Sequence, residues 1–222
     1  MNNLSQRIIT SVVLLFILSI SLFYNKYVWL FILILGSLVL FIEFNNLVKK
    51  IWKKKDTKIV GVNFFALIFL IIFIFVAYDI HSKSLFELIF IILICIFSDT
   101  GGYIVGNLIG GRKLTKISPN KTISGSIGSF GFSLLPIIFI WFYYEYLNNF
   151  NYPENDYVQL ILISLFLSLI CQLGDLFISY FKRKAKVDDT GSILPGHGGL
   201  LDRIDGVIFV LPAAYLIDKI FF

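Results

Sequence analysis

Apolar runs about as long as a lipid bilayer is thick recur along this chain, and that feature removes most folds from consideration. A helix rises ~1.5 Å per residue, so a ~30 Å hydrocarbon core takes ~20 residues to cross. Such runs fall at 8–24, 27–48, 59–78, 85–97, 124–147, 157–181 and 204–220, separated by short polar stretches. Lipid offers no partner to backbone N–H and C=O groups, so segments of this length must satisfy them as helices. Charged residues make up 15% of the chain and the mean hydropathy is +0.86, against roughly 25% charged in soluble domains. The expected fold is therefore an all-α polytopic membrane protein of about seven transmembrane helices. It forms a single membrane-embedded domain over 1–222, with N-terminal helices in 1–80 and helices with cytoplasmic loops in 85–222. The run at 85–97 is short for a span, and the glycine-containing stretch 101–110 is expected to prolong it as helix.

The first run follows Arg7 as a signal peptide would, but no small-residue cleavage site precedes Asn25 and Lys26, so it reads as a retained helix. Cys95 and Cys171 both fall inside apolar runs, where a thiol behaves as a small hydrophobe, and their spacing fits neither a disulfide framework nor a zinc site.

Basic residues are left preferentially on the cytoplasmic side of a membrane. With seven spans and the N-terminus inside, the cytoplasmic segments hold 16 lysines and arginines and the outer segments only Lys26, Lys83 and Lys219. The expectation is an N-terminus in the cytoplasm, a C-terminus outside, and a multi-pass protein of the cell (inner) membrane. The net charge of +5 is then one face of a membrane protein rather than a nucleic-acid surface.

Two cytoplasmic segments exceed what anchoring requires. In 98–125, "SDTGGYIVGNLIGGRKLTKISPNKTISG", Gly102, Gly106 and Gly110 recur every four residues, the spacing that lets membrane helices approach closely. The stretch 106–113 lacks both the order of a phosphate loop and a preceding strand. Asp99 closes an apolar run, and in "SPNKT" Ser118, Lys121 and Thr122 surround turn-forming Pro119 and Asn120. That group reads either as a capped helix start or as a phosphate-binding turn.

The second segment starts within a span. A carboxylate inside a membrane must face a cavity, a partner or an ion, which makes Asp175 a functional candidate by default. Ser179 at i+4 and Lys182 at i+7 continue its helix face toward the cytoplasm. Asp202 and Asp205 share a face at the start of the last run. If the two faces meet, three carboxylates converge beside Lys182, Arg183, Arg203 and His197. A cation among them would relieve their repulsion, and oxygen ligands suit Mg²⁺. The alternative for Asp202 and Asp205 is a surface cap favoured by the helix dipole.

Residues 179–205, "SYFKRKAKVDDTGSILPGHGGLLDRID", resemble the signature of the phosphatidate cytidylyltransferases, the CDP-diacylglycerol synthases. The likeness covers Ser179, Lys182-Arg183, Asp189, Gly191, Leu194-Pro195, His197-Gly198-Gly199 and Asp202-Arg203-x-Asp205. Upstream, "SDTGGY", "SPNKT" and "FIEF", which contains Glu43, are similar to further elements of that family. The chain departs from the family pattern at Asp188, where a lysine is expected and Lys186 stands two residues earlier, and at Ser124, where an acidic residue is expected.

The resemblance implies transfer of the CMP moiety of CTP to phosphatidate, giving CDP-diacylglycerol and pyrophosphate. Asp175, Asp202 and Asp205 would hold Mg²⁺, with a second cation admitted, and Lys182, Arg183 and Arg203 would grip phosphates. His197 would orient a phosphate or serve only as a loop residue, while Gly198 and Gly199 would let backbone N–H groups approach an anion. Asp99, Ser118, Lys121, Thr122, Ser179 and Lys186 complete the expected substrate contacts. CTP would arrive from the cytoplasm, and phosphatidate from the bilayer lipid around a monomer or homodimer. A CTP-dependent kinase of a polyprenol-type lipid would use similar ions, but the "GHGGLLDRID" match favours the cytidylyltransferase. A cation transporter should show midplane charges and inverted repeats, and neither is present in the sequence.

Overall fold

A computed structural model of the chain describes residues 3–52, 57–143 and 157–221. Its helices are α1 (Asn3–Phe23), α2 (Lys26–Ile51), α3 (Thr57–Lys83), α4 (Leu85–Ile109), α5 (Ile123–Phe132), α6 (Leu135–Tyr143), α7 (Tyr157–Ala185), α8 (Leu201–Ile204) and α9 (Val207–Phe221). Five of these, α1 to α4 and α7, are long and apolar enough to cross a membrane. Lys53, Lys54 and Lys55, and the expected outer loop at 148–156, lie outside the described residues.

Helix starts follow capping chemistry. Asn25 accepts the Tyr27 N–H, Ser84 accepts the Glu87 N–H, and Thr122 accepts the Gly125 N–H, each satisfying a donor that the first helical turn leaves free. The expected prolongation of the fourth run through 101–110 is borne out by α4, which reaches Ile109. Two other expected spans are interrupted. The run at 124–147 breaks between α5 and α6, and the run at 204–220 begins in the last residue of the one-turn α8 and, past Asp205 and Gly206, continues as the 15-residue α9. The first break has a local cause. In a continuous helix the Pro136 ring would collide with the carbonyl of Phe132, so the helix stops there and restarts with Pro136 in its first turn.

α7 lies at the centre, packed against α9, α4 and α2, while α3 joins α2 to α9. Leu40, Leu88, Ile94, Leu167, Val210 and Leu211 are fully buried between these helices. Phe16, Phe31, Phe65, Ile71 and Leu162 point outward, as side chains facing lipid do. α1 is the most loosely seated of the long helices, with its apolar side chains largely exposed.

α4 and α5 meet backbone to backbone. A Cβ on Gly128 would lie 2.5 Å from Val105 Cβ, and one on Gly125 would lie 2.7 Å from the Gly102 carbonyl oxygen. Gly102 and Gly106 thus serve packing, as their spacing suggests. Gly110 does not, since it ends α4 with φ 65° and faces open space. The close approach leaves α4 and the 112–122 segment as one wall beside the C-terminal third of α7.

Candidate functional site

The sequence segments singled out above converge on a cavity of ≈770 Å³. α4 lines it with Asp99, Gly102, Tyr103, Gly106 and Asn107, and the following segment contributes Leu114, Ser118, Asn120, Lys121 and Thr122. α5 adds Gly125, Ser126 and Ser129, and α7 adds Gln172, Asp175, Ser179, Lys182 and Arg183. Asp188, Asp202, Arg203 and Asp205 close the far side. The two polar faces expected to meet do so.

Along α7 the i,i+4 stripe is real: Ser179 Oγ donates to Asp175 Oδ1 at 3.2 Å. The other oxygen of Asp175 forms an ion pair with Lys121 of the "SPNKT" segment. Cys171 donates its S–H to Asp99 Oδ1 at 3.6 Å, and Ser126 Oγ donates to Gln172 Oε1 at 2.5 Å. Both cysteines are free and buried, in keeping with their expected apolar role.

Asp202 is committed differently from its neighbour. Its Oδ1 accepts Lys182 Nζ at 2.7 Å, while Oδ2 accepts the Thr190 N–H at 2.8 Å, the Thr190 hydroxyl at 2.9 Å and the Gly199 N–H at 3.1 Å. Burial acts to raise its pKa, but the Lys182 hydrogen bond and the Thr190 and Gly199 N–H groups outweigh it and hold the carboxyl below the usual carboxylate value. Asp205 accepts one hydrogen bond among the described residues, from the Gly206 N–H at 3.0 Å. Its charge is felt instead against those of Asp175 and Asp99.

The structure therefore separates the three aspartates expected to act together. Asp175 and Asp205 face each other's charge with Asp99 nearby, whereas Asp202 is turned to Lys182 and the loop. Among the described residues no three His, Cys, Asp or Glu side chains converge into a protein-only metal cage. Mg²⁺ seldom needs one, because it commonly takes one or two carboxylates and completes its shell with waters and substrate phosphates. Asp99 and Asp205, which accept one hydrogen bond each among the described residues, together with Asp175, whose charge is met by Lys121, have the chemistry for that kind of binding.

The loop after α7 contains the remaining expected residues. Lys186 takes φ 56° as the helix ends, its N–H bonding Arg183 O, and it lines neither this cavity nor the next. Asp188 is 92% exposed and pairs with Arg183 at 3.0 Å. His197 and Gly198 lie on the other side of the loop, in a smaller polar cavity of ≈390 Å³ with Arg7, Asp189 and Ser192. Arg203 lines both cavities and donates to the His197 carbonyl oxygen at 2.8 Å. α1 grips the same turn: Arg7 Nε donates to Gly196 O and Thr10 Oγ1 to Pro195 O, each at 2.9 Å, and Ser11 Oγ lies 3.3 Å from His197 Nε2.

Gln172, Ser126, Tyr103 and Asn107 belong to the main cavity and were not foreseen. Gln172 is three residues before Asp175, and Tyr103 and Asn107 are four and eight after Asp99 on α4, so helical spacing carried a signal for these three; Ser126 is a neutral polar residue in the first turn of α5.

Among known proteins, the phosphatidate cytidylyltransferase of Staphylococcus haemolyticus (strain JCSC1435) is 45% identical over 137 residues, covering 61% of this chain and 50% of the relative. Those of Staphylococcus aureus (strain COL) and Staphylococcus epidermidis (strain ATCC 35984 / DSM 28319 / BCRC 17069 / CCUG 31568 / BM 3577 / RP62A) are each 44% identical with the same coverage. The chain spans about half the length of the curated relatives it matches. The cytidylyltransferase family profile matches residues 46–221, which takes in the main cavity and the whole loop beside it, and the chain belongs to that family.

Proposed function

We propose that the chain transfers CMP from CTP to phosphatidate, releasing pyrophosphate and leaving CDP-diacylglycerol in the membrane. The observation that carries this reading is the meeting of Asp99, Asp175 and Asp205 with Lys121, Lys182, Arg183 and Arg203 around one cavity at the end of membrane-length helices.

In this reaction a phosphatidate phosphate oxygen forms a bond to the α-phosphorus of CTP, and the bond from that phosphorus to the oxygen of the departing pyrophosphate breaks. The attacking oxygen is already anionic, so no strong general base is required. The demands are alignment and neutralisation of charge, which fixed cationic side chains supply at low reorganisation cost. Lys182 is held by Asp202 at 2.7 Å and Lys121 by Asp175, so both ammonium groups are placed before a substrate arrives. Arg183 and Arg203 are placed to take further phosphate oxygens. Mg²⁺ would be held by Asp205 with Asp175, whose Lys121 partner would turn to the phosphates, Asp202 being committed on both oxygens to Lys182 and the loop, and would supply charge neutralisation to the triphosphate.

The lipid half of the reaction has support on the opposite flank of α7. A cavity of ≈560 Å³, lined only by apolar residues such as Phe44, Phe69, Phe181, Leu201 and Phe209, offers acyl chains a place one residue away from Lys182 and Asp202. The distribution of basic residues supports seven spans in the cell membrane, an N-terminus inside, a C-terminus outside and a cavity open to the cytoplasm.

Purified protein given CTP, phosphatidate and MgCl₂ should release pyrophosphate and form CDP-diacylglycerol, and should do neither when any one of the three is omitted. Formation of CDP with a newly phosphorylated lipid would support the lipid-kinase reading in its place.

A further inference from the structure

Glu43 sits in α2, three residues before the stretch matched by the family profile, and is only 2% exposed. A buried carboxylate is costly unless hydrogen-bond donors meet it. Three do, all from the far end of the chain: the Leu200 N–H at 3.0 Å on Oε1, and the Leu201 N–H at 2.9 Å and Thr190 hydroxyl at 3.1 Å on Oε2. Leu200 is the N-cap of α8 and makes no side-chain capping bond of its own. Glu43 thus provides, from another helix, the acceptor that a capping residue normally provides locally.

The same contacts lead to the cavity. Thr190 stands between Glu43 and Asp202, with its hydroxyl 2.9 Å from Asp202 Oδ2, and Asp202 in turn holds Lys182. The loop is shaped to admit the carboxylate: a Cβ on Gly191 would lie 2.7 Å from Glu43 Oε1, and one on Gly199 would lie 2.6 Å from Oε2. Glu43 itself does not line the cavity.

We infer that Glu43 is the positioning residue of the signature loop, fixing Thr190 at one end and Leu200 and Leu201 at the other so that Asp202 presents Lys182 to the substrates. The placement stands on the contacts alone; its effect on turnover rests on the cytidylyltransferase reading.

Hydrogen–deuterium exchange and kinetics on the full chain in detergent test both parts. Glu43→Leu fills the space without an acceptor. It should speed exchange in peptides covering 190–201 by roughly 10-fold or more, the size expected for a lost hydrogen bond to a charged group. It should also lower kcat by at least ~10-fold while KM for phosphatidate changes less than ~3-fold, since the residue acts through Lys182 and not by binding lipid. Glu43→Gln keeps one carbonyl oxygen and should recover part of both losses. Thr190→Val removes the bridging hydroxyl at nearly constant volume, and should act in the same direction if Glu43→Leu does not fold. Unchanged exchange over 190–201 in a folded Glu43→Leu or Thr190→Val protein overturns the inference, as does failure of Glu43→Gln to recover anything. If the wild type proves inactive toward CTP and phosphatidate while its loop exchange still depends on Glu43, the functional reading fails and the positioning role stands.

Discussion

Asp202 and Asp205 are three residues apart, and the structure gives opposite expectations for the stability of their asparagine variants. Asp202 accepts from an ammonium, two backbone N–H groups and a hydroxyl. Asparagine retains one oxygen and turns an NH₂ toward donors already in place. The bond to Lys182 alone is worth ~1.5–3 kcal/mol, so Asp202→Asn should destabilise the protein by about 2–3 kcal/mol. Asp205 accepts only from Gly206 among the described residues and works against the charges of Asp175 and Asp99, so removing its charge should leave stability level or higher. Turnover should fall in both, by ~10²-fold for an electrostatic loss of ~3 kcal/mol. Thermal unfolding and pyrophosphate release, measured on the same detergent preparations, separate the two. pH adds a check on sign. The folded-state pKa of Asp202 is lowered, so its contribution is complete above the unfolded value of about 4 and is lost as pH falls through the folded one. The stability gap between wild type and Asp202→Asn should therefore close in acid. An Asp205→Asn protein as unstable as Asp202→Asn, or one that turns over normally, would refute the division of labour drawn between the two residues.

A cysteine at Ser192 should react with membrane-impermeant reagents only from the cytoplasmic side, and one at Ser82 only from outside; labelling of Ser192→Cys from outside would overturn the proposed orientation. Gly199→Ala would place a Cβ 2.1 Å from Thr190 Oγ1, and should cost ~1–3 kcal/mol of stability and most of the pyrophosphate release, whereas Gly36→Ala meets nothing within 4 Å and should change neither. Asp188→Lys frees Arg183 from its carboxylate partner and should lower KM for CTP by up to ~10-fold for such an exposed charge, while Lys186→Ala, outside the cavity, should leave it unchanged. A KM that rises in Lys186→Ala would show that this lysine reaches the nucleotide after all.

The helices were legible because the bilayer imposes a length that composition alone reveals, and the Asp175–Ser179 contact because i,i+4 spacing is a property of the helix itself. The interruption before Pro136 was also legible in principle, since the ring's collision with a carbonyl four residues back is local. The commitment of Asp202 was not. It depends on Lys182, Thr190 and Gly199 arriving together, and no short-range pattern says which oxygen each will find. "FIEF" was recognised as a likeness, yet the partners of its Glu43 lie 147 to 158 residues away in sequence, where periodicity carries no information. Lys186 is the converse case. Sequence proximity to Asp188 made it a natural substitute, but the end of α7 turns its backbone through a left-handed conformation and leaves it outside the cavity.

The 157 residues between Glu43 and Leu200 also mark an interval of time. At ~5–20 residues per second, roughly 8–30 s of synthesis separate the carboxylate from the amides that will satisfy it. Until Thr190 is made, late in that interval, α2 carries an acidic group with none of its final partners, and until residues 195–197 follow, α1 has no turn to grip. The ribosome must pass residue 201 before Glu43 can have all three of its donors. The loop made late is thus the one that ties α1 and α2 together, and a nascent chain stopped short of it retains those hydrophobic helices but lacks the bonds that fasten them at the cavity.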